Sequence, residues 1–359
     1  MKTNQLILAT AAVLALAACN KDEFAPRNSS TDEIGFNAVT RRSTKANGEI
    51  ITGSTYATDN TFQVWGWQSQ AGDFSDVADN AASNFMPNLT ISYCGGPQSR
   101  ADAWRNADNY YYWPFTGKIS FLAVHPSTVA PSTTGWDATN EKPQATVADY
   151  TITPGTNETV DLMFATNEGS RRAEALPMVF IHALSQIEVQ VKTDEDYSTD
   201  VAFDVESVQF NNIDLSGDVA YVNNVASWSD NDTQTQNWVY YNTVLEDITD
   251  SYQVYGAAKV NIPQPANYNA SILDPSDPLY DAGDAVAATI TIGYSMEQTG
   301  SAKITGTVTI ADPFLSVAAN AWEPGKKYNY TINFRLNEIL FNPSVTDWVD
   351  VNVDTINIY

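Results

Sequence analysis

Residues 177–191 read PMVFIHALSQIEVQV. Ile187, Val189 and Val191 alternate with Gln186, Glu188 and Gln190. That two-residue period suits a strand with one covered face and does not fit the 3.6-residue repeat of a helix. The same grammar continues toward the C-terminus in Val201–Ile213, Ala257–Ile262, Ala285–Tyr294, Ala302–Ile310, Lys327–Leu336 and Trp348–Tyr359. Toward the N-terminus it occurs in Ile34–Val39, Thr61–Trp67, Leu89–Tyr93, Lys118–Val124, Val147–Thr153 and Thr159–Ala165. Short alternating or β-branched runs separated by Gly, Pro, Asn and Asp predict an all-β sandwich. A short helix is expected at most in Asp76–Phe85 or Ala318–Trp322.

The two series of strands are separated by the polar stretch Asn167–Glu174, so a domain break is expected near residue 175. The predicted organisation is a signal segment over 1–18, a tether over 19–33, one β-sandwich over 34–175 and a second over 176–359. With 359 residues, the chain has room for two such cores.

Composition excludes several function classes. Eighteen Lys and Arg face 43 Asp and Glu, a net charge of −25, which repels polyanions, so no nucleic-acid partner is expected. Two histidines and two cysteines leave little material for zinc, haem or iron–sulfur sites, and no cofactor is expected. His125 and His182 lack a second histidine at metal-ligand spacing and read as turn or core histidines. The chain has no Gly-x-Ser-x-Gly elbow, no Gly-x-Gly-x-x-Gly and no Walker lysine. A carboxylate pair could serve a glycosidase, but among so many acids their spacing selects none. Asp194–Asp196 and Asp230–Asp232 offer oxygen ligands for calcium without an EF-hand loop and read as solvated. The chain therefore reads as a non-enzyme.

At the N-terminus, Met1-Lys2 precedes the apolar run Leu6–Ala17, which has the length of an export signal and is too short to span a bilayer. It ends in Leu16-Ala17-Ala18-Cys19, which resembles the bacterial lipobox. Lipidation of Cys19 would anchor the chain to the membrane. Asn20-Lys21-Asp22-Glu23 is similar to the export tag of surface lipoproteins in Bacteroides-type bacteria. Cys94, in Tyr93-Cys94-Gly95-Gly96-Pro97, is then the remaining thiol and no disulfide framework is expected. Tyr110–Trp113 reads as core aromatics. Trp228, Trp238, Tyr240 and Tyr241 fall in a polar segment and are candidate ligand-binding aromatics, because aromatic faces stack on sugar rings.

Four stretches carry a further likeness: Ile34–Arg41; Tyr112-Trp113-Pro114 with Ile119–Pro126; Phe180–Ile187; and Trp322–Tyr328 through Phe341–Trp348. In that order behind a lipobox, they resemble the fimbrillin-like lipoproteins, the type V pilus subunits of Bacteroidales. The resemblance implies two tandem transthyretin-like (Greek-key) β-sandwich domains and a surface-exposed lipoprotein of the outer membrane. It implies assembly with other fimbrial subunits by strand exchange, and adhesion to a host protein or glycan. It also makes Ile34, Phe36 and Ala38 the inward face of a removable first strand. Arg41 and Arg42 become the processing site, with Arg171-Arg172 as a rival. The donor strand is then 349–359, carried by Val349, Val351, Val353, Ile356 and Ile358. The alternative reading is a monomeric surface lipoprotein that binds glycan.

Overall fold

A computed structural model describes residues 33–40, 56, 58–94, 104–172, 174–197, 200–229, 236–264, 288–311, 322–335 and 339–347. In chain order the first strands are β1 (Phe36–Thr40), β2 (Phe62–Ser69), β3 (Met86–Tyr93), β4 (Trp104–Arg105), β5 (Lys118–His125), β6 (Thr133–Asp137), β7 (Lys142–Thr151), β8 (Met163–Gly169), β9 (Leu176–His182) and β10 (Ser185–Thr193). There follow β11 (Val201–Ile213), β12 (Ser216–Val222), β13 (Val225–Ser229), β14 (Gln236–Tyr241), β15 (Gln253–Val254), β16 (Lys259–Asn261), β17 (Thr289–Gln298), β18 (Ile304–Ala311), β19 (Lys326–Phe334) and β20 (Ile339–Asp347). No helix occurs among the described residues.

Asp76–Phe85, a predicted short helix, is a series of turns. Asp76 accepts the Ser69 hydroxyl at 2.6 Å and the Gln70 amide at 3.0 Å, and Asn80 has a φ of 57°. Side chains of this type compete with helical backbone bonds and tolerate the left-handed region. Of Ala318–Trp322, only Trp322 lies within the described residues.

The strands form a closed barrel in the order β1-β4-β3-β2-β5-β8-β9 and three open sheets: β13-β12-β7-β6, β14-β11-β17-β18, and β15-β10-β19-β20 with β16 also on β10. Residue 175 falls between β8 and β9 of one barrel, and β12, from the second strand series, pairs with β7 of the first.

Three cores account for the patterning. Phe36, Phe62, Trp104, Phe121 and Phe180 belong to the cluster lined by alternate residues of the barrel strands. Trp65, Trp67, Leu122, Trp136, Phe164 and Tyr221 join the barrel's other face to the sheet containing β7 and β12. β5 reads KISFLAVH and is buried from Ile119 to His125, because both its faces are covered; such a strand reads as a continuous apolar run. The third core lies between the remaining two sheets and holds Ile187, Val189, Val191, Phe210, Trp238, Trp322 and Tyr330.

The loop after β7 connects to this third core through one charged residue. Glu158 accepts the Trp238 indole N–H at 2.7 Å and pairs with Lys259 Nζ at 2.8 Å, while its carbonyl accepts the Val260 amide at 2.6 Å. Burial pushes the Glu158 carboxyl upward, but hydrogen bonds from Lys259 and Trp238 outweigh it and hold the group below the usual range. Removing one member of a buried pair strands the other's charge, at a cost of about 3 kcal/mol. Lys259→Met is therefore expected to lower the urea-unfolding free energy by about that much, and adding Glu158→Gln should recover part of the loss. Additive losses in the double variant would contradict the coupling.

Candidate functional site

The segment Glu33–Thr40 closes the barrel. Ile34, Phe36 and Ala38 are 2%, 1% and 5% exposed while Asn37 faces solvent, the alternation expected of a strand with one buried face. Phe36 packs edge-on against Phe121 at 5.1 Å and Phe62 at 6.3 Å between ring centroids.

The backbone contacts of β1 are uneven. Along β9 it runs parallel in five consecutive pairs, from Phe36 opposite Leu176 to Thr40 opposite Phe180. On its other side, β4 contributes the single pair Phe36–Trp104. The approach to β1 is held by the Ile34 amide donating to the Tyr111 carbonyl at 2.7 Å and the Leu176 amide donating to the Gly35 carbonyl at 2.8 Å. Glu33 reaches the Arg105 guanidinium at 3.7 Å. Burying an isoleucine and a phenylalanine contributes about 4 kcal/mol. The same two side chains occupy what would be a groove between β4 and β9, floored by Phe62, Phe121 and Phe180.

Both histidines stand on the barrel strands beyond the end of β1. His125, Met163 and His182 are direct cross-strand neighbours on β5, β8 and β9, and His182 lies two residues past Phe180, the partner of Thr40. His182 Nδ1 contacts the Asp161 carboxylate. His125 Nδ1 lies 2.6 Å from the Tyr56 hydroxyl and 3.1 Å from the Thr61 carbonyl. The Tyr56 ring stacks on Phe180 at 5.1 Å.

The other expected site residues are dispersed. Cys19, Arg41, Arg42, Val349, Val351, Val353, Ile356 and Ile358 lie outside the described residues. Trp238 and Tyr240 are fully buried, with their rings 5.7 Å apart and the Tyr240 hydroxyl donating to the Ala257 carbonyl at 2.8 Å, so neither ring offers a face to a ligand. The pair is spaced by two on β14 and points into the third core, which the polar residues around it concealed. Trp228 is half-buried on a different sheet, donating to the Ala183 carbonyl at 2.6 Å. Tyr241, also half-buried, packs edge-on to Tyr255 at 5.1 Å.

In the other aromatic run, Trp113 is in the barrel core beside Phe121, whereas Tyr110 is exposed beneath the Arg105 guanidinium at 4.9 Å. Arg171, of the rival processing pair, lies over the Phe115 ring at 4.7 Å. Cys94 is half-buried and contacts the Ser92 carbonyl at 3.6 Å. Asp194 accepts from Asn333 at 3.2 Å and pairs with Arg335 at 3.1 Å. Among the described residues, no group of three or more His, Cys, Asp or Glu side chains is placed to hold a metal.

His125 makes the barrel sensitive to acid. Burial, above all, holds His125 below the ordinary histidine range; His182 adds to this, while the Thr61 carbonyl and Asp161 oppose it. In the unfolded chain histidine titrates near about 6.5, so as pH falls the unfolded state binds this proton first. The associated stability is complete above that pH and is lost below it, by up to about 1.4 kcal/mol per pH unit. The urea midpoint should therefore fall between pH 7.5 and pH 5.5, and His125→Gln should flatten this dependence. An unchanged slope in that variant would remove His125 as the cause.

Comparison with known proteins agrees with this architecture. A family profile described as fimbrillin-like matches residues 42–348. The crystal structure of a fimbrial protein from Bacteroides vulgatus aligns with a TM-score of 0.58 at 17% identity, covering 89% of this chain and 100% of that one. A candidate cell adhesion protein from Bacteroides ovatus aligns with a TM-score of 0.51 at 14% identity, covering 90% and 99%. At these identities the two structures show a shared fold. No curated protein matches the chain in sequence.

Proposed function

This chain belongs to the fimbrillin-like family, and from that premise we propose that it is a structural and adhesive subunit of a surface fimbria. In this reading it is exported as a lipoprotein anchored through Cys19, and its body comprises two tandem transthyretin-like sandwiches. It builds and attaches rather than catalysing a reaction.

Assembly follows from β1. Cleavage after Arg41 or Arg42 releases the segment that carries Ile34, Phe36 and Ala38. The groove then exposes an apolar floor and the unpaired backbone edge of β9, and an extended strand from a neighbouring subunit satisfies both together. Residues 349–359 supply that strand. Eleven residues reach about 36 Å when extended, longer than the five-residue β1 that they replace. Because donor and groove are different surfaces, the contact repeats head to tail and grows a filament.

The observation that carries the proposal is the position of β1. It is buried on its inner face, paired over five residues with β9 but, among the described residues, only at Phe36 with β4, and followed immediately by the adjacent Arg41 and Arg42. Incubation of the full-length chain with an arginine-specific protease should trim it at Arg41 or Arg42 and yield a ladder of multimers on gels run without boiling. Arg41→Ala with Arg42→Ala should abolish trimming at that site and the ladder together. Deleting 349–359 should leave trimming intact and end polymer growth. A trimmed chain that stays monomeric would overturn the strand-exchange reading.

A further inference from the structure

Among the described residues, β18 is bound on one side only. Its eight residues, Ile304-Thr305-Gly306-Thr307-Val308-Thr309-Ile310-Ala311, all pair with β17 without a register shift, and no strand among the described residues pairs with its other side. Such an edge is a template for another strand, and proteins usually guard it by shortness, a bulge, a proline or a charge.

The other edges have these guards. β15 has two residues, and β6 and β13 have five each. β14 is interrupted by two register shifts against β11, and β20 contains Pro343 and Asp347. β18 has none of them. The nearest preceding charge, Lys303, is drawn to Asp204 at 2.7 Å. Gly306, which could have kinked the strand, is covered by Tyr294, whose ring a Cβ at that position would meet at 2.8 Å; an aromatic over an edge glycine helps keep a strand regular.

The side chains indicate what fits. Thr305, Thr307 and Thr309 are exposed on one face, while Gly306, Val308 and Ile310 are half-buried on the other. A chain with a net charge of −25 repels its own copies over most of its surface, but this edge carries no charge and can lie against itself. We infer that β18 is a self-association edge, on which β18 of a second copy lies antiparallel about a two-fold axis at Thr307. In this register Thr307 meets Thr307, Thr305 meets Thr309, Ile304 meets Ile310 and Gly306 meets Val308, so every pair shares a face. A one-residue slip would set threonines against the apolar row. Two four-stranded sheets thereby become one continuous sheet. This contact is separate from the groove of β1 and requires no cleavage.

The register gives a position-specific test. Directly opposed Cα atoms in an antiparallel pair are about 4.5–5.5 Å apart, within disulfide range, whereas residues offset by four positions are about 13 Å apart. In the uncleaved full-length chain carrying Cys94→Ser, Thr307→Cys should form a disulfide-linked dimer under mild oxidation, while Thr305→Cys should behave like the Cys94→Ser parent. Mixing Thr305→Cys with Thr309→Cys chains should restore crosslinking. Equal crosslinking of Thr307→Cys and Thr305→Cys, or none with Thr307→Cys, would overturn the register.

Independently, Thr307→Lys sets like charges face to face and should weaken dimerisation about tenfold in sedimentation equilibrium. At concentrations too low for the parent chain to dimerise, the thermal midpoint should not change, because Thr307 is exposed. Mixing Thr307→Lys with Thr307→Asp chains should recover the dimer. A dimer indifferent to Thr307→Lys would place the contact elsewhere and reject β18.

Discussion

A barrel is free of edges only if its first and last strands meet, and here that closure is the parallel alignment of β1 with β9. Parallel strands need a long crossover; here the whole of the barrel's remaining chain intervenes. The strand that completes the barrel is also the one nearest the N-terminus, and β4, on its other side, is two residues long. Closure therefore depends on side-chain burial by Ile34, Phe36 and Ala38 and on one backbone ladder. Along that ladder the pairing edge of β9 is satisfied by β1.

Strand identity was legible where one period dominated. Ile187, Val189 and Val191 point into a core as their spacing required, and the unbroken apolar run of β5 is explained by two covered faces. The inward row of Ile34, Phe36 and Ala38 could also be read directly. The partnership of β1 with β9 could not, because alternation fixes which face is covered and says nothing about the neighbouring strand. Trp238 and Tyr240 misled for a related reason. Asn, Thr and Gln around them suggest an exposed loop, whereas their own spacing of two belongs to an inward strand face. The convergence of His125 and His182 was hidden as well, since each appears alone in sequence and they approach only through Met163 between them.

Charge is distributed in keeping with this architecture. The acidic surplus lies on a body whose few bases are often committed: Lys259 to Glu158, Lys303 to Asp204, Lys327 to Glu188 and Arg335 to Asp194. Glu158 is the most deeply placed of these acids, and its three contacts tie a loop of the first strand series to the core of the second. Surface pairs of this type contribute little individually. The buried one fixes where the two series meet.

The hairpin of β12 and β13 departs furthest from a picture of two beads on a string. It is numbered with the later strands but hydrogen-bonded to β7 of the earlier ones. A boundary drawn at one residue would cut that sheet, although in space β6, β7, β12 and β13 together cover the barrel and contribute no side chain to the third core. Going from β9 to β10, β11 to β12 and β13 to β14, the backbone therefore passes between the barrel's side and the third core three times, so the two are tied by several chain crossings where a single linker would leave one.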